Sequence, residues 1–299
     1  MRSVTHPVNG VGLEARLRDW AFASGLGSSP LVVRAYRGFC RVRFAGRWDR
    51  PVAFRGGRFI IGKDLSLYPA VHSAAFEHEE FDFLLPRVGP DSVVWDVGAN
   101  VGLHAVLLSK RANLGRVIAF EPVPSTVARL HENLQLNDAH NVSVEEVALS
   151  DHSGTGTMRL FRSAPGCNHL IAEGDHVSGP SRSVRVETAD QFWRSSGALP
   201  DVIKVDVEGF EPAFVRGARQ VLTERRPLIL MEVNASTFHD DPTRRAEWEQ
   251  MLAFLFSLYG SATWFGLKGP RTVTEMPVEE ALSLPRAATI VFGAEKPPV

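Results

Sequence analysis

The sequence predicts an α/β protein with a Rossmann-like, seven-stranded, mostly parallel sheet and helices on both faces, preceded by an N-terminal cap segment. Three observations predict it: short apolar runs that alternate with helical patterns, a glycine-rich turn after the first run, and acidic residues where later runs end. Alternating strand and helix patterns are typical of parallel sheets whose strands are buried on both faces. A small ligand is therefore expected at the carboxyl edge of the sheet.

Residues 1–85 lack the long strand–helix alternation, and we interpret them as an N-terminal cap or lid. A short helix is expected over residues 13–22. Residues 31–44 and 51–61 contain β-branched and aromatic side chains punctuated by glycine, which indicates short strands.

Residues 86–299 are expected to form the Rossmann-like domain. The predicted strands cover residues 93–95, 117–120, 142–149, 202–207, 228–233, 262–265 and 288–292. Helical patterns follow each of the first five strands, and the last of these helices begins after an Asp241-Pro242 cap and stops at Gly260. An insertion at about 153–187 contains two further strand patterns around a Gly/Pro/Ser-rich loop. Such long connections tend to carry function, so we expect a functional role for this one.

The overall composition is typical of a folded protein and argues against several classes of protein. The chain has 299 residues, of which 44% are hydrophobic, and its net charge of -1 provides no bulk attraction for nucleic acid or an anionic membrane. Two cysteines, Cys40 and Cys167, are too few for a disulfide framework. The polar first twelve residues and the interruption of the uncharged stretch 251–267 lead us to expect no secretory signal, no membrane span and a cytoplasmic location.

The first candidate binding element is the turn Asp96-Val97-Gly98-Ala99-Asn100-Val101-Gly102, which joins the first strand to the first helix. Its glycines allow close approach of backbone to a ligand. The spacing departs from the G-x-G-x-x-G pattern that offers amides to a pyrophosphate, and Asp96 would repel phosphate. An acid there suits a ligand with an ammonium group, such as the methionine end of S-adenosyl-L-methionine. Taken alone, the turn is equally compatible with a tight strand–helix connection that binds nothing.

The second candidate is Glu121, which ends the second predicted strand and is followed by Pro122. A carboxylate at this point can accept both hydroxyls of a ribose. Because NAD and S-adenosyl-L-methionine both contain that ribose, Glu121 favours an adenosyl ligand without choosing between them.

The third candidate is the block Ile203-Lys204-Val205-Asp206-Val207-Glu208-Gly209-Phe210-Glu211. Lys204 and Asp206 share one face of a buried strand, where charges that are neither paired nor functional are costly. Together with Glu232 at the end of the next strand, Asp206 and Glu208 could bind a substrate amine, hold a divalent cation, or accept a proton from a hydroxyl. Lys204 could stabilise a developing alkoxide or simply brace the sheet through an ion pair. His104 and His169 also stand near these elements, but a lone histidine is more often structural, and neither is assigned a role.

Together these residues resemble the FkbM family of methyltransferases over about residues 67–233. The resemblance rests on the glycine turn, Glu121-Pro122, Ala148-Leu149-Ser150-Asp151, and most specifically on residues 204–211 followed by Gly217-Ala218. It implies S-adenosyl-L-methionine as the donor and, usually, O-methylation of a hydroxyl on a sugar or secondary metabolite.

By the same resemblance, Asp96, Gly98, Asn100 and Gly102 line the methionine end of the donor, Glu121 holds its ribose and Ala148 borders its adenine. Ala99 and Pro122 complete the expected donor site. The first 60 residues and residues 163–180, within the insertion at about 153–187, depart from the family pattern. By the resemblance these parts are expected to shape the acceptor site, so the identity of the acceptor does not carry over.

Other functions are less well supported by the residues. A nucleic-acid methyltransferase that acts on an exocyclic amine would show a Pro-Pro-aromatic block where Val207-Glu208-Gly209 stands. A nicotinamide oxidoreductase would need the G-x-G-x-x-G turn. A non-catalytic module that binds an adenosyl ligand would have no reason to direct Asp206 and Glu232 toward the ligand. The expected partner is a small-molecule acceptor, with no nucleic acid and no membrane. The sequence leaves metal dependence and homo-oligomerisation open.

Overall fold

The computed structural model describes residues 29–73, 76–161, 164–172, 175–176, 178–234, 237–238, 240–266, 269–277, 280–281 and 288–294. The helix predicted over residues 13–22 lies outside these residues.

Nine α-helices and fourteen strands occur in the described part of the chain. The helices are α1 Pro30–Arg43, α2 Leu67–His72, α3 His78–Leu84, α4 Leu103–Arg111, α5 Pro124–Leu136, α6 Ala189–Ser196, α7 Glu211–Gly217, α8 Arg219–Arg225 and α9 Pro242–Tyr259. The strands are β1 Val52–Phe54, β2 Gly57–Phe59, β3 Val93–Val97, β4 Arg116–Phe120, β5 Val142–Glu145, β6 Ala148–Ser150, β7 Gly154–Arg159, β8 His169–Leu170, β9 Ser181–Thr188, β10 Val202–Val205, β11 Leu228–Val233, β12 Ala262–Gly266, β13 Gly269–Val273 and β14 Ala288–Phe292.

The main sheet confirms the predicted Rossmann-like architecture. Its strands follow the order β13-β12-β14-β11-β10-β3-β4-β5. The five strands from β11 to β5 pair in parallel, whereas β14, β12 and β13 add antiparallel pairs at the other end. The chain runs outward from β3 to β5 and then returns to β10 beside β3. Because the strand order reverses between β3 and β10, a crevice is expected at their carboxyl ends.

Two details differ from the predicted set of seven strands. Strand β13 is an eighth member, and it was missed because Gly269 and Pro270 argue against a strand interior, whereas Pro is tolerated at a sheet edge. The predicted strand over 142–149 is divided in two. Its first half is β5 of the main sheet, and its second half, β6, joins a separate sheet of order β6-β9-β7-β8 that the insertion builds.

The hydrophobic core has two layers, one on each face of the main sheet. On one face, α4 and α5 pack together with the described residues that precede β3, and Phe44, Phe59 and Leu108 are fully buried there. On the other face, α6 to α9 cover the sheet around Phe214 and Leu255. The expectation of helices on both faces is therefore confirmed.

The segment that precedes β3 is partly helical where strands were predicted. Residues 31–44 were expected to be extended, but α1 covers Pro30–Arg43. Tyr36, Cys40 and Phe44 are four residues apart and contact the core, so the helical period of the inward side chains prevails over the β propensity of the segment. The extended structure expected over residues 51–61 is confirmed, and it forms the hairpin β1–β2.

This segment is also held by polar contacts. Asn133 of α5 accepts the Ile60 N–H at 2.7 Å and donates to the Ile60 carbonyl at 3.1 Å. The division of the chain into a cap and a core domain at residue 85 stays a prediction. None of the described helices combines the length and the apolar character needed to cross a membrane.

Candidate active site

A cleft of about 640 Å³ opens at the carboxyl ends of β3, β4 and β10. The turn after β3 and the end of β4 form its floor, β6 and β7 its apolar side, and residues 165–170 of the insertion its roof. Among the residues predicted to bind the donor, those that line this cleft are Gly98, Asn100, Glu121, Pro122 and Ala148.

The turn after β3 is shaped by two glycines with different tasks. Gly98 has φ 79°, and a Cβ at this position would lie 1.9 Å from the backbone oxygen of Asp206. No other residue type can let the two chains approach so closely. Gly102 has φ 88° and precedes α4, where a Cβ would lie 2.3 Å from Leu130. Gly102 and the buried Ala99 do not line the cleft, so their place in the donor site stays a prediction.

Glu121 lies at the end of β4 and links the turn to the cleft floor. Its Oε2 accepts the Asn100 N–H at 3.1 Å, and its Oε1 accepts the Val123 N–H at 2.9 Å. Burial raises the pKa of Glu121 to about 7, against these two donors, which favour the ionised form. Since a carboxylate offers about four acceptor positions, two remain for the hydroxyls of a ribose. Glu121 therefore fits an adenosyl donor.

Asp96 occupies a different place from the one expected of a cleft residue. It is fully buried, and neither of its oxygens has a hydrogen-bond partner among the described residues. Burial raises its pKa, and Lys204, whose Nζ lies 4.0 Å from Oδ1, opposes that shift. Asp96 thus lies beneath the glycine turn, facing the ammonium group, instead of lining the cleft wall.

Lys204 connects the buried acid to the candidate catalytic residues. Its Nζ donates to Asp206 Oδ2 at 3.1 Å and to the Gly98 carbonyl at 3.4 Å. The pKa of Lys204 is raised: burial would lower it, but Asp206 and Asp96 outweigh burial. The ammonium group is therefore charged at neutral pH and braces both the strand and the turn.

Three carboxylates gather after β10 and β11, as the sequence predicted. One oxygen each from Asp206, Glu208 and Glu232 lies within 4.8 Å of the others. Burial alone would raise the pKa of Asp206, but Lys204 and a hydrogen bond from Glu232 hold it below its ordinary value. Burial and the charge of Asp206 raise the pKa of Glu232 well above its usual range. Burial, Asp206 and Glu211 raise the pKa of Glu208 to about 8. Asp206 is therefore the member of the cluster whose ionised form is favoured, whereas Glu208 and Glu232 are shifted toward their protonated forms.

Glu211 at the start of α7 sets the position of Glu208. Its two oxygens accept the Val207 and Gly209 N–H groups, each at 3.0 Å. Glu208 has φ 54°, a left-handed conformation that costs free energy and persists only where the surroundings hold it. Glu211 supplies that constraint. The sequence block contained Glu211, but no role could be assigned to it from the pattern alone.

A second cleft of about 890 Å³ adjoins the first. It lies between the insertion and α9, and its walls include Arg159, Phe161 and Arg244. The two clefts share four residues, namely His169, Leu170, Glu208 and Phe210. Of the three clustered carboxylates, Asp206 lines the first cleft, Glu232 lines neither, and Glu208 lines both.

Asp64 ties the chain before β3 to the roof of the first cleft, a contact that sequence reasoning missed. Its Oδ1 accepts from the Ser66 N–H and hydroxyl and from the Leu67 N–H, at 2.6–2.9 Å. Its Oδ2 accepts the Gly166 N–H at 3.1 Å. Gly166 lines the first cleft, and the two residues are 102 positions apart, so no local pattern could reveal the contact.

The two histidines noted in the sequence have different environments. His104 is 5% exposed, stacks on Phe81 with ring centroids 4.3 Å apart, and places Nε2 3.2 Å from a Glu77 carboxylate oxygen. It is a core residue and lines neither cleft. His169 lies where the two clefts meet. Burial, aided by Arg159 and Arg244, lowers its pKa. In the sequence, only the location of His169 in the long insertion indicated that this residue lies near a functional site.

Several proteins are similar to this chain. Hexuronic acid methyltransferase AglP of Haloferax volcanii is 29% identical over 234 residues, which are 77% of this chain and 85% of that protein. The 2-O-methyltransferase NoeI of Sinorhizobium fredii is 29% identical over 170 residues, 50% of this chain and 65% of that protein. A crystal structure of methyltransferase FkbM from Methylobacillus flagellatus covers 69% of this chain and 44% of its own, with 16% identity and a TM-score of 0.43.

A model of the methyltransferase FkbM domain matches residues 96–260, which run from the buried acid of β3 to the end of α9. The match spans more than half of the chain and includes the glycine turn, Glu121 and the carboxylate cluster. The chain therefore belongs to the FkbM family of S-adenosylmethionine-dependent methyltransferases.

Proposed function

We propose that the protein methylates a hydroxyl group on a sugar or another small natural product. The observation that carries the proposal is the position of Glu208, the one carboxylate of the cluster that lines both clefts. A base at that junction is within reach of an acceptor in the second cleft and of a donor in the first. The names of AglP and NoeI, a hexuronic acid methyltransferase and a 2-O-methyltransferase, support a sugar as the acceptor.

The first cleft is proposed as the donor site. Glu121 would accept the ribose hydroxyls, Gly98 and Asn100 would contact the methionine end, and Ala148 with Pro122 would border the adenine. When bound, S-adenosyl-L-methionine supplies a methyl group already activated by its sulfonium. Asp206, which Lys204 keeps ionised, lines this cleft and would favour the positive charge of the sulfonium there, a charge that S-adenosylhomocysteine lacks.

The second cleft is proposed as the acceptor site, with Glu208 as the general base. As the acceptor oxygen forms its bond to the methyl carbon, the carbon–sulfur bond breaks and its electron pair stays on sulfur. Glu208 in its ionised form accepts the proton that the hydroxyl loses. A general base works best when its pKa lies near the working pH, and the pKa of Glu208 is raised to about 8.

Asp206 and Glu232 are proposed to support that base. Asp206 carries the negative charge of the cluster and Glu232 donates a hydrogen bond to it. Lys204 neutralises part of this charge, and the hydrogen bond between Glu232 and Asp206 stabilises the cluster further. On this view the three carboxylates work without a bound metal.

The residues before β3 are proposed to act as a cap over the donor site. Their described part packs against α4 and α5, and Asp64 anchors the roof through Gly166. If this is correct, the cap orders the loop that covers the donor and excludes water from the reaction.

Calorimetric titration with S-adenosylhomocysteine tests the donor site. We expect binding to the wild-type protein and none of comparable strength with NAD. Glu121→Gln should weaken binding by about tenfold or more, because the amide presents fewer acceptors to the ribose hydroxyls. Glu208→Gln should bind S-adenosylhomocysteine like the wild type. Absence of binding to the wild-type protein would refute the proposal.

Transfer of labelled methyl groups to a panel of glycosides tests the catalytic assignment. Glu208→Gln and Asp206→Asn should both abolish transfer. Asp206→Asn should leave the affinity for S-adenosylhomocysteine largely intact. A collapse of that affinity would instead assign Asp206 to the donor site, and undiminished transfer by Glu208→Gln would contradict its role as base.

A further inference from the structure

The second cleft contains a guanidinium group whose charge no described acid neutralises. Arg159 ends β7, is half-buried, and lines the second cleft but not the first. Its Nη2 donates to the Ser178 hydroxyl at 3.1 Å, and its Cζ lies 5.3 Å from the centre of the Phe161 ring. Both partners are uncharged. In the described part of the chain, Arg159 has no carboxylate within ion-pairing distance.

Arg244, the other arginine of this cleft, is in a different state. Its Nη2 lies 2.6 Å from Asp175 Oδ2, and its Nε lies 3.5 Å from Asp241 Oδ2. Two acids therefore offset the charge of Arg244. Arg159 has no such acid among the described residues, so its guanidinium group can pair with an anionic ligand.

Arg159 is paired with a residue at the junction of the two clefts. It lies directly opposite His169 in the antiparallel pair of β7 and β8, and His169 lines both clefts. The positive potential of Arg159 reaches this junction, since it helps to lower the pKa of His169. Glu208, the acid at the same junction, has its pKa raised and adds little negative charge at neutral pH.

The remaining walls suit a polar ring compound. Phe161 and Phe210 provide aromatic surface, and Thr237 provides a hydroxyl that already donates to the Asn234 carbonyl at 2.7 Å. The cleft therefore combines aromatic surface with charged and hydroxyl-bearing side chains that can orient a small ligand. A ligand held between these walls would have one side toward Glu208 and the other toward Arg159.

We propose that the acceptor carries an anionic group, a carboxylate or a phosphate, which Arg159 binds while a hydroxyl of the same molecule faces Glu208. This inference rests on the proposed function and adds the charge of the acceptor to it. A guanidinium can donate two parallel hydrogen bonds to either anion, and such charge-assisted pairs are strong and directional. Arg159 then selects and orients the acceptor without taking part in the proton transfer.

Calorimetry on the full chain, saturated with S-adenosylhomocysteine, tests the proposal with three probes. They are methyl β-D-glucuronide, glucose 1-phosphate and the neutral methyl β-D-glucoside. We expect at least one anionic probe to bind about tenfold or more tightly than the glucoside. Tighter binding of the glucuronide would assign a carboxylate, and tighter binding of glucose 1-phosphate would assign a phosphate.

Two matched variants test whether Arg159 causes the preference for an anionic probe. Arg159→Gln should remove the preference for the anionic probe and leave the affinities for the glucoside and for S-adenosylhomocysteine unchanged. Arg182→Gln removes an equal charge from the adjacent strand β9 at an exposed position outside the cleft, and should keep the preference.

The outcomes separate this inference from the function on which it rests. Equal binding of charged and neutral probes, no binding of either anionic probe, or a preference that survives in Arg159→Gln would overturn the anionic acceptor. In each case, intact binding of S-adenosylhomocysteine would leave the donor site standing. Failure of the wild-type protein to bind S-adenosylhomocysteine would instead refute the proposed function.

Discussion

The raised pKa of Glu208 makes a specific prediction for the pH dependence of catalysis. With a pKa of about 8, roughly one-tenth of the protein holds Glu208 ionised at pH 7. If the ionised form is the base, kcat/KM should rise about tenfold from pH 7 to a plateau above the pKa. A bound sulfonium donor would shift the midpoint downward, because its positive charge favours the carboxylate.

The raised pKa of Glu208 also predicts that the folded protein becomes less stable as the pH rises. The ordinary pKa of a glutamate is 4.5, so between about pH 4.5 and pH 8 the folded state binds more protons at Glu208 than the unfolded state does. The free energy of unfolding should therefore fall as pH rises through this window. Glu208→Gln removes the titrating group, and should flatten this part of the stability profile.

Carbon-13 NMR of the glutamate side-chain carboxyls measures the titration directly, and the resonance missing in Glu208→Gln assigns it. Initial rates of labelled methyl transfer, measured between pH 6 and pH 9.5, give the functional profile. The reasoning would be refuted if Glu208 titrated near pH 4.5, or if the rate remained constant across that range.

Four further predictions concern the surrounding structure. Gly98→Ala should weaken S-adenosylhomocysteine binding by at least about tenfold in calorimetry, because its Cβ would lie 1.9 Å from the Asp206 oxygen and φ is 79°. Asp64→Asn should lower the affinity for S-adenosylhomocysteine several-fold and the free energy of unfolding by about 1–3 kcal/mol, because the Gly166 N–H loses its acceptor. Lys204→Met should lower the free energy of unfolding in urea by about 3–5 kcal/mol, because it leaves buried carboxylates without their cation. Incubation with a chelator should leave methyl transfer unchanged, and lost activity restored by a divalent cation would instead assign a metal to the carboxylate cluster.

Each substitution has a control elsewhere in the chain. Gly46→Ala has a similar φ of 70° but open space around the added Cβ, so it isolates backbone strain from the steric clash. Ser66→Ala removes one local hydrogen bond of Asp64 and spares the roof contact. Lys110→Met removes an exposed lysine on α4 and should cost far less than Lys204→Met. Equal effects in a variant and its control would contradict the corresponding reasoning.

The sequence alone predicted the elements in which local pattern and tertiary environment agree. Strands β3, β4, β10 and β11 are short apolar runs because both of their faces are buried, so their composition alone indicated them. The positions of the glycine turn, Glu121 and the carboxylates followed from the rule that parallel strands end at one edge of the sheet. Prediction was wrong for residues 31–44, where the spacing of three inward side chains outweighed β-branched composition, and incomplete for β13, an edge strand that contains a proline.

Only the tertiary structure decided how those residues divide their tasks. Asp96 and Glu121 are both acids near strand ends. Asp96 is buried against Lys204 because the glycine turn covers it, whereas Glu121 lies beside the turn and lines the cleft. The sequence pattern does not distinguish the roles of Asp206, Glu208 and Glu232, which are all carboxylates near strand ends. The left-handed turn held by Glu211 brings Glu208 to the junction of two clefts. Local sequence determines where a strand ends, whereas burial and contacts between distant segments determine which carboxylate is charged and which cavity it faces.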